Sequence, residues 1–164
     1  MKLLVLSDSH GNIERMIYAV EYTKPDIILH LGDQIMDAVL LQSQFPNTTF
    51  HAVKGNCDFN AFGDIELLLT FDGVKVFMTH GHTYRVKNGL AEIIEAGRKK
   101  GADIALFGHT HIAMIQQAPG LFIMNPGQLQ HNDSYSRASY GVVTVVKDSF
   151  ECNLFECGSG KPSH

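Results

Sequence analysis

Leu3-Leu4-Val5-Leu6-Ser7-Asp8-Ser9-His10-Gly11-Asn12 sets the pattern for most of the chain. A short apolar run, the length of a buried strand, breaks into a turn carrying a carboxylate and an imidazole two residues apart. Asp, Ser, Gly and Asn are ordinary turn residues, so one such loop says little. The chain repeats it. Leu29-His30-Leu31 runs into Gly32-Asp33, and Phe50-His51-Ala52-Val53 runs into Gly55-Asn56-Cys57-Asp58. Val76-Phe77-Met78-Thr79 runs into His80-Gly81-His82, and Ile104-Ala105-Leu106-Phe107 runs into Gly108-His109-Thr110-His111.

Between these loops the spacing of apolar residues changes period. Ile13, Met16, Ile17 and Val20 recur at helical spacing after Asn12, a suitable N-cap, and Lys24-Pro25 stops them. Strands are expected over 2–7, 26–31 and 48–53, with a second helix over 36–44; strand–helix–strand order implies parallel pairing. Asp72-Gly73 between 66–71 and 74–79 is a hairpin signal. A helix is expected over 88–100, ended by Gly101, then a strand over 103–107. The rest reads as hairpins, 113–117 with 121–124 and 140–146 with 150–155. An αβ first two-thirds followed by β hairpins fits two packed sheets flanked by helices. Ligand sites in open α/β sheets gather at the carboxyl ends of strands, where all five loaded loops lie.

With 164 residues, one domain over 1–157 is expected, with a flexible tail over 158–164 that offers no core residue. Apolar content of 45% is globular, and no apolar run spans a membrane. No signal-peptide pattern precedes the first strand, and three cysteines make no disulfide framework; both point to the cytoplasm. Cys152 and Cys157 stand at an odd offset, on opposite faces of a strand, which argues against a zinc clip. A net charge of -4 gives no reason to expect long nucleic acid as a partner and leaves room for a small anionic substrate. Homo-oligomerisation remains open.

Pooled, the loops offer Asp8, His10, Asp33, Asn56, His80, His109 and His111. Two carboxylates, an amide and four imidazoles suit borderline divalent ions such as Mn, Fe, Co, Ni or Zn. Seven ligands exceed one tetrahedral zinc and match two metals sharing a carboxylate, about 3.5–4 Å apart, as used for in-line displacement at phosphorus. Their residual positive charge would attract a phosphate oxyanion. His80 directly follows its strand and is preferred over His82, which would then stand behind the ligands or beside the substrate. His30 and His51 lie within strands and read as packing residues. No G-x-S-x-G elbow supports a serine nucleophile.

The five blocks, in order, resemble the signature of the calcineurin-like metallophosphoesterases: D-x-H, G-D, G-N-[H/C]-[D/E], H and G-H-x-H. The short length, the Gly-Asn-Cys-Asp block, His80-Gly81-His82 and Asn125-Pro126-Gly127 look most like the small YfcE-type phosphodiesterases. The resemblance covers residues 2–156. It implies a four-layer αββα sandwich of two mixed sheets. It implies a first metal on Asp8, His10 and His111, a second on Asn56, His80 and His109, and Asp33 bridging, with manganese foremost. The activity implied is hydrolysis of a small phosphodiester by a metal-bridging hydroxide, with Asp33, Asn56, Cys57 and His80 as catalytic positions. Larger members carry His where this chain has Cys57. A thiol is a poor proton donor, so good leaving groups are favoured. Two rival readings share the fold: an inactive scaffold, as in the retromer subunit, and a phosphomonoesterase or nuclease.

Overall fold

Alternation along β1 (Lys2–Leu6) decides which way the layers pack. Leu3 and Val5 point into a core shared by two sheets, while Leu4 and Leu6 point the other way, onto Met16, Ala19 and Val20 of α1 (Ile13–Thr23). All four leucine and valine side chains are fully buried, each contributing about 1.5–3 kcal/mol of transfer free energy. The computed structural model describes residues 1–130 and 137–158. The expected tail past Gly158 lies outside the described residues.

β2 (Ile27–His30) and β3 (Thr49–Ala52) pair parallel to β1, with α1 and α2 (Ile35–Gln44) as crossovers. β9 (Ser139–Val146) pairs antiparallel to β1 and carries β10 (Ser149–Glu156), giving the order β10-β9-β1-β2-β3. The second sheet holds β4 (Glu66–Phe71), β5 (Val74–Thr79), β6 (Ile104–Leu106), β7 (Met114–Ala118) and β8 (Leu121–Asn125), ordered β4-β5-β6-β8-β7. Here β5, β6 and β8 run parallel, and β4 and β7 close the edges antiparallel. Both sheets are mixed, as expected. Val76 and Met78 face the shared core; Phe77 faces outward onto Ile93 of α3 (Ala91–Lys99). The layers are therefore α1 and α2, first sheet, second sheet, α3.

Local signals explain the ends. Asn12 Oδ1 accepts the Arg15 N–H at 3.2 Å, capping α1, and Lys24 closes it at φ 48. The helix expected over 88–100 is shorter: Val86–Asn88 forms a 3-10 turn, and Gly89, at φ 139, separates it from α3. A methyl on Gly97 would stand 2.9 Å from Leu121 Cδ2, so glycine lets α3 lie close to the second sheet. The two late hairpins part company, one joining each sheet. Cys152 lies within β10, Cys157 just beyond it, and all three cysteines are free.

Candidate metal centre

The parallel trios β1, β2, β3 and β5, β6, β8 end on one edge of the sandwich. Direct bonds tie their ends together: Asp8 N–H to Gly32 O at 3.1 Å, Gly108 N–H to His80 O at 3.0 Å, and, between sheets, His109 N–H to Asp8 Oδ2 at 3.1 Å. The turns there are strained. Asp8 (φ 52), His10 (φ 43), Asp33 (φ 58), His109 (φ 65) and His111 (φ 63) are all left-handed, a region non-glycine residues seldom occupy. Such clustering is typical of functional sites. The intervening glycines serve close approach. A methyl on Gly32 would stand 2.9 Å from Gly55 Cα, and one on Gly108 would stand 2.7 Å from Asp8 Oδ2.

Asp8, His10 and His111 form one group, with one donor atom from each within 4.8 Å of the others. Asp8 Oδ2 accepts from Ser7 Oγ at 2.6 Å and from His109 N–H. Its other oxygen, Oδ1, is buried and has no hydrogen-bond donor. His111 Nε2 stands 3.1 Å from it, at ion-pair distance. Burial alone would raise the Asp8 pKa; His111, the His80 charge and Ser7 together hold it below its ordinary value.

Asp33, His80 and His109 form the second group, again within 4.8 Å. Asp33 uses one oxygen on the Cys57 N–H at 2.9 Å. The other, Oδ2, lies between His80 Nε2 at 3.4 Å and His10 Nε2 at 3.8 Å, linking the two groups. His80 is fully buried, and its Nδ1 lies 2.8 Å from Leu31 O, which assigns the proton to that nitrogen. Nε2 then faces two oxygens, Asp33 Oδ2 and Asn56 Oδ1 at 3.1 Å. Only a cation there, whether a proton or a metal, makes all three atoms attract. Burial lowers the His80 pKa, yet Asp33 and Asp8 outweigh it and raise the value. Burial likewise works against Asp33, but His80 and the Cys57 N–H hold it well below the carboxylate range. His109 is pushed down to about 4, by burial first, then by His80 and Lys87.

The structure thus brings all seven expected positions together. The donor set is hard-to-borderline N and O, with an orphaned carboxylate oxygen in one group and an Nε2 facing two oxygens in the other; both features fit divalent cations. His82 packs its ring 5.4 Å from His80 and 6.1 Å from His109, and its buried Nδ1 has no hydrogen-bond partner. Cys57 is exposed, with its Sγ 3.5 Å from Asn56 Nδ2. Burial and the Asp33 carboxylate push its thiol up to about 11.

Several supporting residues escape a reading of the sequence. Asp58 accepts four backbone N–H groups, from Asp33, Gln34, Ile35 and Gly55, at 2.8–3.1 Å. It thereby caps α2 and fixes two ligand loops. Asp37 accepts from Ser9 Oγ and the Gly11 N–H, both at 2.7 Å, and Ser9 Oγ lies 3.3 Å from His30 Nε2. Asn125 donates to Gly108 O and Thr110 Oγ1, both at 2.9 Å, bracing the loop of His109 and His111. Asp58 and Asn125 stand inside recognisable blocks, but their partners are distant in sequence, so only their positions are legible.

Comparison with known proteins agrees with this geometry. Residues 1–148 match the model of the calcineurin-like phosphoesterase superfamily domain. The chain is 33% identical to "Probable metallophosphoesterase YsnB" of Bacillus subtilis over 95% of its own length and 91% of the relative's. It is 27% identical to phosphodiesterase YfcE of Escherichia coli K12 over 87% of each. The fold is shared with a predicted phosphoesterase from Streptococcus pneumoniae TIGR4, at TM-score 0.80 and 23% identity over 97% of this chain and 93% of that one. The chain belongs to the calcineurin-like phosphoesterase superfamily, with YfcE-type phosphodiesterases among its relatives.

Proposed function

We propose that the protein is a dinuclear metal-dependent phosphodiesterase acting on a small diester in the cytoplasm. One observation carries this reading: seven ligand-type side chains from five loops converge, with a buried Asp8 oxygen left without a donor. Asp8, His10 and His111 would hold one divalent ion and Asn56, His80 and His109 another, with Asp33 shared and manganese the first candidate. Bound there, the two ions would supply Lewis acidity and hydroxide at neutral pH, by lowering the pKa of water from 15.7 to about 7.

The chain's own part is orientation and charge. Leu31 O fixes the His80 ring with its Nε2 toward Asp33 and Asn56. The Cys57 N–H holds Asp33 Oδ1, so that Oδ2 faces the gap between the groups. Two carboxylates against two divalent ions leave net positive charge to stabilise a phosphoryl transition state. Cys57 stays protonated at neutral pH and gives up its proton reluctantly, so the leaving group departs best when already acidic. Three unpaired thiols suit a reducing compartment, and no described helix is long and apolar enough to cross a membrane.

Protein supplied with manganese should hydrolyse bis(p-nitrophenyl) phosphate. No turnover with Mn, Ni, Co or Zn contradicts the reading. Purification without chelator separates it from the scaffold alternative: close to two metals per chain is expected, and a stable, metal-free protein counts against it.

A further inference from the structure

Beside the second group the surface opens into a cleft of about 330 Å³ lined by Gln34, Met36, Cys57, Asp58, Phe59 and Asn60. It adjoins the ligands. Cys57 holds Asp33 through its N–H and follows Asn56, and Gln34 follows Asp33. Two of its lining side chains are apolar and open to solvent: Phe59 is 86% exposed and Met36 58%. Met36 stands in the first turn of α2, and the loop that carries Phe59 is closed by Lys54 N–H to Asp64 O at 2.8 Å and folded inside by Ala61 N–H to Asp58 O at 3.2 Å, so Phe59 is presented on a closed turn. Gln34 is held at φ 73, a strained conformation for glutamine and one that marks functional positions. The Asp58 carboxylate is occupied by its four N–H donors, and no Lys or Arg is among the lining residues.

This combination selects a ligand class. An open aromatic face and a thioether favour a planar, uncharged group, and two carboxamides, Gln34 and Asn60, offer paired donors and acceptors to a polar edge. A simple alkyl arm would leave those amides unused, and a second anionic group would find no cation. Near the first group a separate cleft of about 410 Å³, lined by His10, Asn12, Glu14 and Gln130 among others, has a different, polar character. The two arms of a diester would therefore meet unlike surroundings.

We propose that the Phe59 cleft is the subsite for one ester arm of the substrate, and that this arm carries a nucleobase-like heteroaromatic ring stacked on Phe59 with its edge met by Gln34 and Asn60. The proposal rests on the phosphodiesterase reading for the position of phosphorus, but its ligand can be tested without turnover.

Binding of adenosine 5'-monophosphate and of ribose 5-phosphate to manganese-loaded protein would be compared by calorimetry. Both carry the same phosphate and only one carries a base. The nucleotide should bind about tenfold tighter, Phe59→Ala should erase that preference, and Phe62→Ala, altering a wholly exposed ring outside the cleft lining, should keep it. A parallel kinetic pair, thymidine 5'-(p-nitrophenyl) phosphate and methyl p-nitrophenyl phosphate, shares one leaving group. Phe59→Ala should raise KM about tenfold for the first alone, with kcat within about twofold. Base preference without turnover of either ester would sink the phosphodiesterase reading and leave the subsite standing. Equal binding of both phosphates, or binding of neither, overturns the subsite. So does a Phe59→Ala variant that keeps the preference but dissociates a dimer in light scattering, which would make the patch a contact between copies.

Discussion

Asp33 divides its two oxygens between a backbone N–H and the gap between the ligand groups, and that division makes a specific demand on substitution. Asp33→Asn keeps an oxygen for the Cys57 N–H but loses the shared negative charge. Turnover should fall at least about a hundredfold, while the melting temperature of metal-free protein stays within a few degrees, because the amide oxygen keeps the Cys57 N–H bond. Full activity in this variant would remove Asp33 from the mechanism. Cys57 offers the complementary test. A thiol held near 11 is replaced in Cys57→His by a group that titrates near neutrality. Metal content should be unchanged, and turnover of diesters with poor alkoxide leaving groups should rise relative to nitrophenyl esters. Loss of metal instead would mean that the loop has no room for an imidazole.

α2 begins without a side-chain cap of its own: Gln34, its N-cap residue, is left-handed and makes no capping bond. Asp58 does the capping from a loop more than twenty residues away. A carboxylate accepting four N–H groups is a strong point in the fold, because its loss strands donors at the helix start and beside two ligands. Asp58→Ala should cost about 3 kcal/mol in denaturant unfolding and weaken metal binding, with Asp58→Asn intermediate. Equal stability of Asp58→Ala and the parent would refute the capping role. The same reasoning explains the paired glycines. Gly32 and Gly55 meet backbone to backbone, and Gly108 passes over Asp8, so the Gly-Asp, Gly-Asn and Gly-His blocks are spacing devices as much as ligand carriers.

The molecule as a whole should weaken in acid for a reason seated under the site. His30 is fully buried, accepts the Gly32 N–H on Nδ1 at 3.3 Å, and is pushed down to about 4 by burial, which outweighs Asp8, Asp37 and Asp58. Its folded pKa lies below its unfolded value of 6.5, so the unfolded chain takes up protons first. Stability is therefore whole above pH 6.5 and falls as pH drops toward 4, by up to about 3 kcal/mol from this residue. His30→Gln should flatten that slope in metal-free unfolding curves, and an unchanged slope would exonerate His30. Much of this architecture was legible beforehand. Short apolar runs bounded by turn residues locate the strands, Asp72-Gly73 the hairpin of β4 and β5, and Asn12 the start of α1. What sequence could not reveal was pairing at a distance. Nothing in their alternation says that β7 and β8 join one sheet while β9 and β10 join the other. Nor could Asp58, Asp37 or Asn125 be given their partners, since each bonds to loops brought near only by the finished sandwich. Anomalous diffraction from manganese-soaked crystals bears most directly on the centre itself. Two peaks about 3.5–4 Å apart are expected, one against Asp8, His10 and His111, the other against Asn56, His80 and His109, with Asp33 between them. A single peak, or none within reach of these side chains, would show that the converging groups do not form a two-metal site.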